Sequence, residues 1–245
     1  MKTFIKLVGF IKSFLLLLPI TLIFYPFTRL ALFISYLNMF LVWVYRNKKK
    51  FKYLEPITFN RNYNNRYNLY KYISDHYSKD NTPIIYLEFG VAGGDSFNWW
   101  LNENKSPTSS FYGFDTFEGL PEDWGIFFKK GDMNYEESQK SDDRAKFVKG
   151  LFQDTLFPFI QDEQDLLTSP TNKIIHMDAD LYSSTIFVLT QLYPYLKSGD
   201  IILFDEFNVP LHEFKAFKEF SESFYIKLEP LGAVNNYLQT AFIVE

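Results

Sequence analysis

Residues 84–89, IIYLEF, form a short, strongly apolar run that passes without a linker into the loop GVAGGDS and then into the helical stretch FNWWLNEN. The same order recurs along the chain. Residues 111–114 open into DTFEGLPEDW, AKFVKGLF (145–152) precedes a helix starting near Asp154, and KIIHMDAD is followed by the helical SSTIFVLTQLYPYL. A break at SGD (198–200) then leads into IILFDEF. Strands alternating with helices at this spacing predict a doubly wound α/β fold, a mostly parallel Rossmann-like sheet covered on both faces. The end of the chain differs. After an amphipathic segment at 211–224, YIKLEP and YLQTAFIVE flank the turn-rich LGAVNN and predict a C-terminal hairpin added antiparallel to the sheet edge.

In such a sheet the loops outside the carboxyl ends of the strands form the ligand crevice, and here those loops carry the chemistry. The first holds Glu88, Gly90, Gly93, Gly94 and Ser96. Its glycines allow a tight turn and a close backbone approach to a ligand, and the following helix offers unpaired N–H groups. Ala92 and the spacing depart from the dinucleotide fingerprint G-x-G-x-x-G, which argues against a nicotinamide enzyme. Asp115 leaves the second strand where a carboxylate can accept bonds from ribose hydroxyls; the bland reading is a turn former or helix cap. Asp178 and Asp180 share one side of an extended segment, and Asp205 and Glu206 end the fifth strand. Four carboxylates at neighbouring strand ends repel one another unless protons or a cation compensate, and magnesium suits an oxygen-rich set. His176, in the apolar strand, reads as a core histidine or as one supporting the acids rather than as a base.

Composition narrows the field. The chain of 245 residues has no cysteine and only His76, His176 and His212, so thiol chemistry and histidine-rich metal sites are excluded. Residues 1–52 contain nine Lys or Arg and no acid, whereas the remaining 193 residues carry 16 basic and 29 acidic side chains. An acidic body of this kind repels nucleic-acid phosphates, so no nucleic-acid partner is expected.

That basic N-terminus holds two apolar runs, FLLLLPITLIFYPF (14–27) and ALFISYLNMFLVWVY (31–45), separated at Arg29. Each is shorter than the roughly 20 residues a helix needs to cross the hydrocarbon layer. The arrangement expected is a re-entrant hairpin that breaks at Pro19 or Pro26 and turns near Arg29, leaving the catalytic body cytoplasmic. A single tilted crossing competes, as do buried helices or a dimerisation arm in a homo-oligomer. The polybasic RNKKKFK (46–52) favours anionic headgroups. Residues 1–52 are therefore expected to form a hydrophobic, helical membrane-association segment, and 53–245 the catalytic domain.

Taken together, YLEFGVAGGDS, FYGFDTFEGLPEDW, VKGLFQDTL, IHMDADLYSST and GDIILFDEF resemble the macrocin O-methyltransferase family, which includes sugar methyltransferases of antibiotic biosynthesis. The resemblance runs from about residue 70 to the C-terminus. It implies a class I methyltransferase fold that binds S-adenosylmethionine and uses Mg2+ to methylate a sugar hydroxyl. On that resemblance Glu88, Gly90, Gly93 and Ser96 contact the methionine part of the cofactor, Asp115 the ribose, and Phe152 and Gln153 the adenine. Asp178, Asp205 and Glu206 hold the metal, and Asp180 is the general base. The chain departs from relatives that commonly carry two aspartates where it has Asp205 and Glu206, and its apolar N-terminus is unlike their short soluble helices. The expected acceptor is a sugar or glycoconjugate, with a lipid-linked one favoured by that N-terminus. The alternatives are a metal-dependent glycosyltransferase using the D-x-D segment and a non-catalytic membrane-tethered binding protein.

Overall fold

The computed structural model describes residues 2–17, 21–79, 82–125, 127–135 and 142–245. Eight strands form one sheet: β1 (Tyr53–Leu54), β2 (Ile84–Phe89), β3 (Ser110–Asp115), β4 (Ala145–Lys149), β5 (Asn172–Met177), β6 (Ile201–Phe204), β7 (Leu228–Val234) and β8 (Gln239–Val244). Their order is β1-β7-β8-β6-β5-β2-β3-β4. The run from β6 to β4 is parallel, while β8 pairs antiparallel with both β6 and β7. The doubly wound fold and the terminal hairpin are thus as expected from the sequence.

Burial on both faces explains why the strands read as unbroken apolar runs. Successive residues alternate between two cores, because a strand turns its side chains to opposite faces. Ile85, Leu87 and Phe89 join Tyr112, Phe114, Ile175, Met177, Ile202 and Phe204 on one face. There they meet α5 (Phe152–Asp162), α7 (Tyr182–Leu192) and α8 (Glu213–Ser223). Ile84, Tyr86, Phe111, Ile174, Ile201 and Leu203 face the other way, against α3 (Arg66–Tyr77) and α4 (Asp95–Glu103). α8 fits its face because Phe214, Phe217 and Phe220 recur at three-residue spacing and form one buried stripe.

Two expectations are corrected. The hairpin turn is at 235–238, so only the last two residues of LGAVNN belong to it, and β7 runs through Leu231 to Val234. Pro230 and Gly232 look like turn residues in sequence, but the structure accommodates them as a register shift within the strand. Asn235, Asn236 and Tyr237, all at positive φ, make the reversal instead.

The second correction concerns the N-terminus. α1 (Lys2–Leu17) is followed by one long helix, α2 (Thr21–Asn47), which contains Pro26 and passes through Arg29 without a turn. Pro26 is the sixth residue of α2, so the helix forgoes one hydrogen bond, to the Leu22 carbonyl, and continues past it. Pro19 lies outside the described residues. The C-terminal half of α2 docks on the α8 face, where Phe40 is buried and Tyr36, Trp43 and Val44 pack around it.

Candidate active site

The loops after β2, β5 and β6 are fastened by backbone bonds that extend the parallel ladders beyond the strands. The Gly90 N–H donates to Phe114 O at 2.9 Å, the Asp178 N–H to Phe89 O at 2.9 Å, and the Asp205 N–H to Met177 O at 3.0 Å. Gly90, at φ +96°, stands so close to the next loop that an added Cβ would lie 1.8 Å from Asp178 O. Only glycine fits there, for reasons of both space and backbone angle.

These loops border a cavity of about 350 Å³. Of the residues expected to hold cofactor, Gly90, Gly93 and Ser96 line it from the glycine loop, with Asp115 beside them. Phe152 and Gln153 form the wall at the start of α5. Asp178, Asp180 and Glu206 also face this space, so three of the four acids and the glycine loop share one chamber. Glu88 and Asp205 are placed differently. Both are buried in the layer beneath, on the α3 face.

That layer is a polar row across three neighbouring strands. Glu88 on β2 lies in register with His176 on β5, and Asp205 follows β6. The His176 Nδ1 is 3.7 Å from Glu88 Oε2, and its Nε2 is 3.8 Å from Asp205 Oδ1. Burial opposes the charge on His176, but the neighbouring carboxylates of Asp205 and Glu88 outweigh it and raise its pKa. Burial likewise opposes the charge on Asp205, yet His176 and the Tyr63 phenol hold its pKa below the usual carboxylate value. Tyr86 donates to Glu88 Oε2 and also contacts His176 Nδ1 at 2.8 Å.

The acids lining the cavity behave in the opposite way. Burial, then the charges of Asp205 and Asp115, push the Asp180 carboxyl up to about 7. Glu206 rises to about 8 through burial and the charges of Asp205 and Asp180. Asp178 is also raised, by burial and by Asp205. Asp180 has φ +57°, uncommon for a residue with a side chain.

Among the described residues, His176, Asp178 and Asp205 bring one donor atom each within 4.8 Å of one another. Glu206, the third ligand implied by resemblance, is outside this tight group and on the cavity wall. The donor set fits a cation: Asp205 Oδ1 is buried with no hydrogen-bond partner, and three neighbouring carboxyls carry the marks of mutual repulsion.

Asp115 is more occupied than its expected role suggests. Its Oδ2 accepts the N–H groups of Val91 and Ala92, each at 2.8 Å, and its Oδ1 accepts that of Phe117 at 2.7 Å. A carboxylate offers about four acceptor positions, so one remains for a ribose hydroxyl. Asp115 therefore holds the glycine loop against β3 as well as facing the cavity.

Three residues escaped the sequence reading. Tyr63 and Arg66 line the cavity from a polar stretch that read as a connector, and Tyr63 donates to Asp205 Oδ2. Glu213, fully buried at the start of α8, accepts the Glu206 N–H at 2.8 Å and so fixes the loop after β6. Nothing in their spacing marks them; only the tertiary fold brings them to the strand ends. Trp124, in the loop after β3, also lines the cavity.

The family profile described as Macrocin-O-methyltransferase (TylF) matches residues 64–238. Mycinamicin III 3''-O-methyltransferase of Micromonospora griseorubida is 29% identical over 89 residues, 34% of this chain and 31% of that protein. The 8-demethyl-8-(2,3-dimethoxy-alpha-L-rhamnosyl)-tetracenomycin-C 4'-O-methyltransferase of Streptomyces olivaceus is 32% identical over 154 residues, 53% of this chain and 55% of that protein. The chain thus spans about a third and about half of these two relatives. Among solved structures, the calicheamicin methyltransferase CalS11 superposes with a TM-score of 0.57 at 22% identity, covering 74% of this chain and 77% of that one. The O-methyltransferase NovP gives 0.54 at 23% identity, covering 72% and 78%. These two likenesses establish a shared class I methyltransferase fold.

Proposed function

Because this chain belongs to the macrocin O-methyltransferase family, we propose that it is an S-adenosylmethionine-dependent O-methyltransferase acting on a hydroxyl of a sugar or glycoconjugate. The observation that carries the reading is the shared chamber: the glycine loop, clamped by Asp115, opens on the same cavity as Asp180. The family sets aside the glycosyltransferase alternative for the D-x-D segment.

When bound, the cofactor supplies an electrophilic methyl on a sulfonium. The chain's own part is to orient and to move a proton. The glycine loop, Ser96 and the start of α4 would seat the amino-acid end, and Phe152 and Gln153 the base. Holding the two reactants in line supplies much of the acceleration. A sugar hydroxyl is a weak acid, and Asp180, with a carboxyl near neutrality inside the cavity, is suited to accept its proton. Asp178 and Asp205, with His176 beside them and Glu206 on the wall, would hold Mg2+, which supplies Lewis-acid stabilisation of a developing oxyanion. Within residues 1–52 we also assign the exposed part, as far as residue 35, to membrane association, with the catalytic body on the cytoplasmic side. Every described side chain in α1 and in α2 as far as residue 35 is exposed apart from Val8, which is half-buried.

The test is calorimetry with S-adenosylhomocysteine, followed by transfer of labelled methyl to a panel of glycans with and without exhaustive chelation. Binding of a nucleotide-sugar but not of S-adenosylhomocysteine would overturn the cofactor assignment. Full turnover without metal would overturn the role given to Mg2+.

A further inference from the structure

α2 is two different surfaces on one helix. Between Tyr36 and Asn47 one face of it packs into the protein core: the Phe40 ring meets Phe214 at 5.2 Å, and Trp43 meets Phe207 at 5.1 Å and Phe217 at 5.6 Å. Residues 22–35 touch none of this and are all exposed. Leu22, Ile23, Phe24 and Tyr25 are 63 to 75% exposed, and four consecutive residues spread around nearly the whole helix. A second protein chain would bury one stripe of such a helix, whereas lipid solvates every side. Lys2, Lys6, Lys12, Arg29 and the basic run at 46–52, with no acid among them, complement anionic headgroups.

The footing of this helix is beside the candidate active site. The Tyr36 phenol donates to Glu219 Oε1 at 2.7 Å, and the Tyr182 phenol donates to Glu219 Oε2 at 2.5 Å. Tyr182 follows Asp180 by two residues and opens α7, and Phe207, under Phe40 and Trp43, directly follows Glu206. The helix is therefore tied to residues that continue from the two acidic loops at the carboxyl ends of the strands. Its free part, residues 22–35, is roughly 21 Å long, short of the ~30 Å hydrocarbon layer, so α2 with its footing kept enters a bilayer without crossing it.

We propose that α2 is a stem that seats the cavity end of the sheet against an anionic bilayer, so that the acceptor reaches Asp180 from the lipid surface and is a lipid-linked saccharide. This rests on the methyltransferase reading and on the membrane assignment above. The acidic body opposes any arrangement that lays it flat on such a surface, which leaves the basic, apolar stem to set the orientation.

The chain lacks cysteine, so Glu118→Cys and Ser198→Cys each give a single dye position on residues 1–245. Glu118 is exposed in the loop after β3, at the cavity end, and Ser198 is exposed just before β6, at the opposite end. Energy transfer is measured to an acceptor dye on the headgroups of vesicles containing phosphatidylglycerol. Transfer from position 118 severalfold above that from 198, with faster methylation of a lipid-anchored saccharide than of its short soluble analogue, is the expected result. Sedimentation with vesicles but equal transfer from both positions, or more from 198, overturns the orientation. Equal methylation of the two acceptors overturns the acceptor class. Failure to sediment, with dimers by light scattering, gives the exposed helices to a second copy and removes the stem. Binding of S-adenosylhomocysteine by the same samples reports separately on the methyltransferase reading.

Discussion

The phenol of Tyr63 donates its hydrogen bond to Asp205 across 142 residues of sequence, from outside the family match to the acid after β6. Arg66, three residues on, stacks its guanidinium 4.3 Å from the Tyr63 ring centre and lines the same cavity. The turn before α3 and the first residue of that helix thus line the chamber together.

Tyr63→Phe is expected to lower stability by about 1–2 kcal/mol, since it removes a bond to a charged acceptor while keeping the ring. Urea unfolding measures this. An unchanged midpoint would show that the phenol contributes nothing to holding Asp205.

Asp115→Ala releases the amides of Val91, Ala92 and Phe117 together. Affinity for S-adenosylhomocysteine should fall at least about tenfold, because the glycine loop loses its clamp as well as a ribose acceptor. Asp115→Asn keeps the size and the acceptor oxygen and should recover part of the loss. Titration calorimetry on both variants is the check.

For Asp180→Asn the expectation is a single-turnover rate lower by about 10²–10⁴, with S-adenosylhomocysteine affinity kept. In the unmodified protein the rate should rise with pH and level off above about 7, since the base acts deprotonated. A variant that keeps both the rate and the rising limb would remove Asp180 from the role.

Stability should respond to pH and cation together. Asp180 and Glu206 have folded pKa values raised to about 7 and about 8, above their ordinary 3.8 and 4.5, so the folded state binds protons more tightly. Their contribution is complete below about pH 4 and is lost as pH rises through 7 to 8. Mg2+ should therefore raise the melting temperature more at pH 8 than at pH 5. Equal shifts at both values would argue that the cation does not bind among these acids.

Removal of residues 1–35 should abolish vesicle sedimentation while leaving cofactor affinity within about threefold, because the docked half of α2 stays in place. Removal of 1–52 should instead lower solubility and melting temperature, by exposing Phe207, Phe214 and Phe217. If the two truncations behave alike in solution, the footing at Phe40 and Trp43 is dispensable.

Strands buried on both faces announce themselves, which is why β2, β5 and β6 and the acids leaving them were readable without coordinates. The alternation that sends Glu88 beneath the chamber was available too: it shares parity with Ile84 and Tyr86, and so faces α3 and α4. What no local pattern carries is long-range pairing. The hold of Glu213 on Glu206, of Tyr63 on Asp205 and of Asp115 on the Val91 amide depends on the loops meeting in space. Pro26 misled for a related reason: proline marks a probable break, and neither its place in the helix nor the docking of Phe40 and Trp43 is written in the residue itself.

At Gly90 the two loops are separated by less than the width of a methyl group. The peptide that would cradle the cofactor and the carbonyl of Asp178 are consequently one mechanical piece, with no side chain between them to take up slack. A shift of the glycine loop on binding cannot stay local; it is handed directly to the turn that carries Asp178 and Asp180.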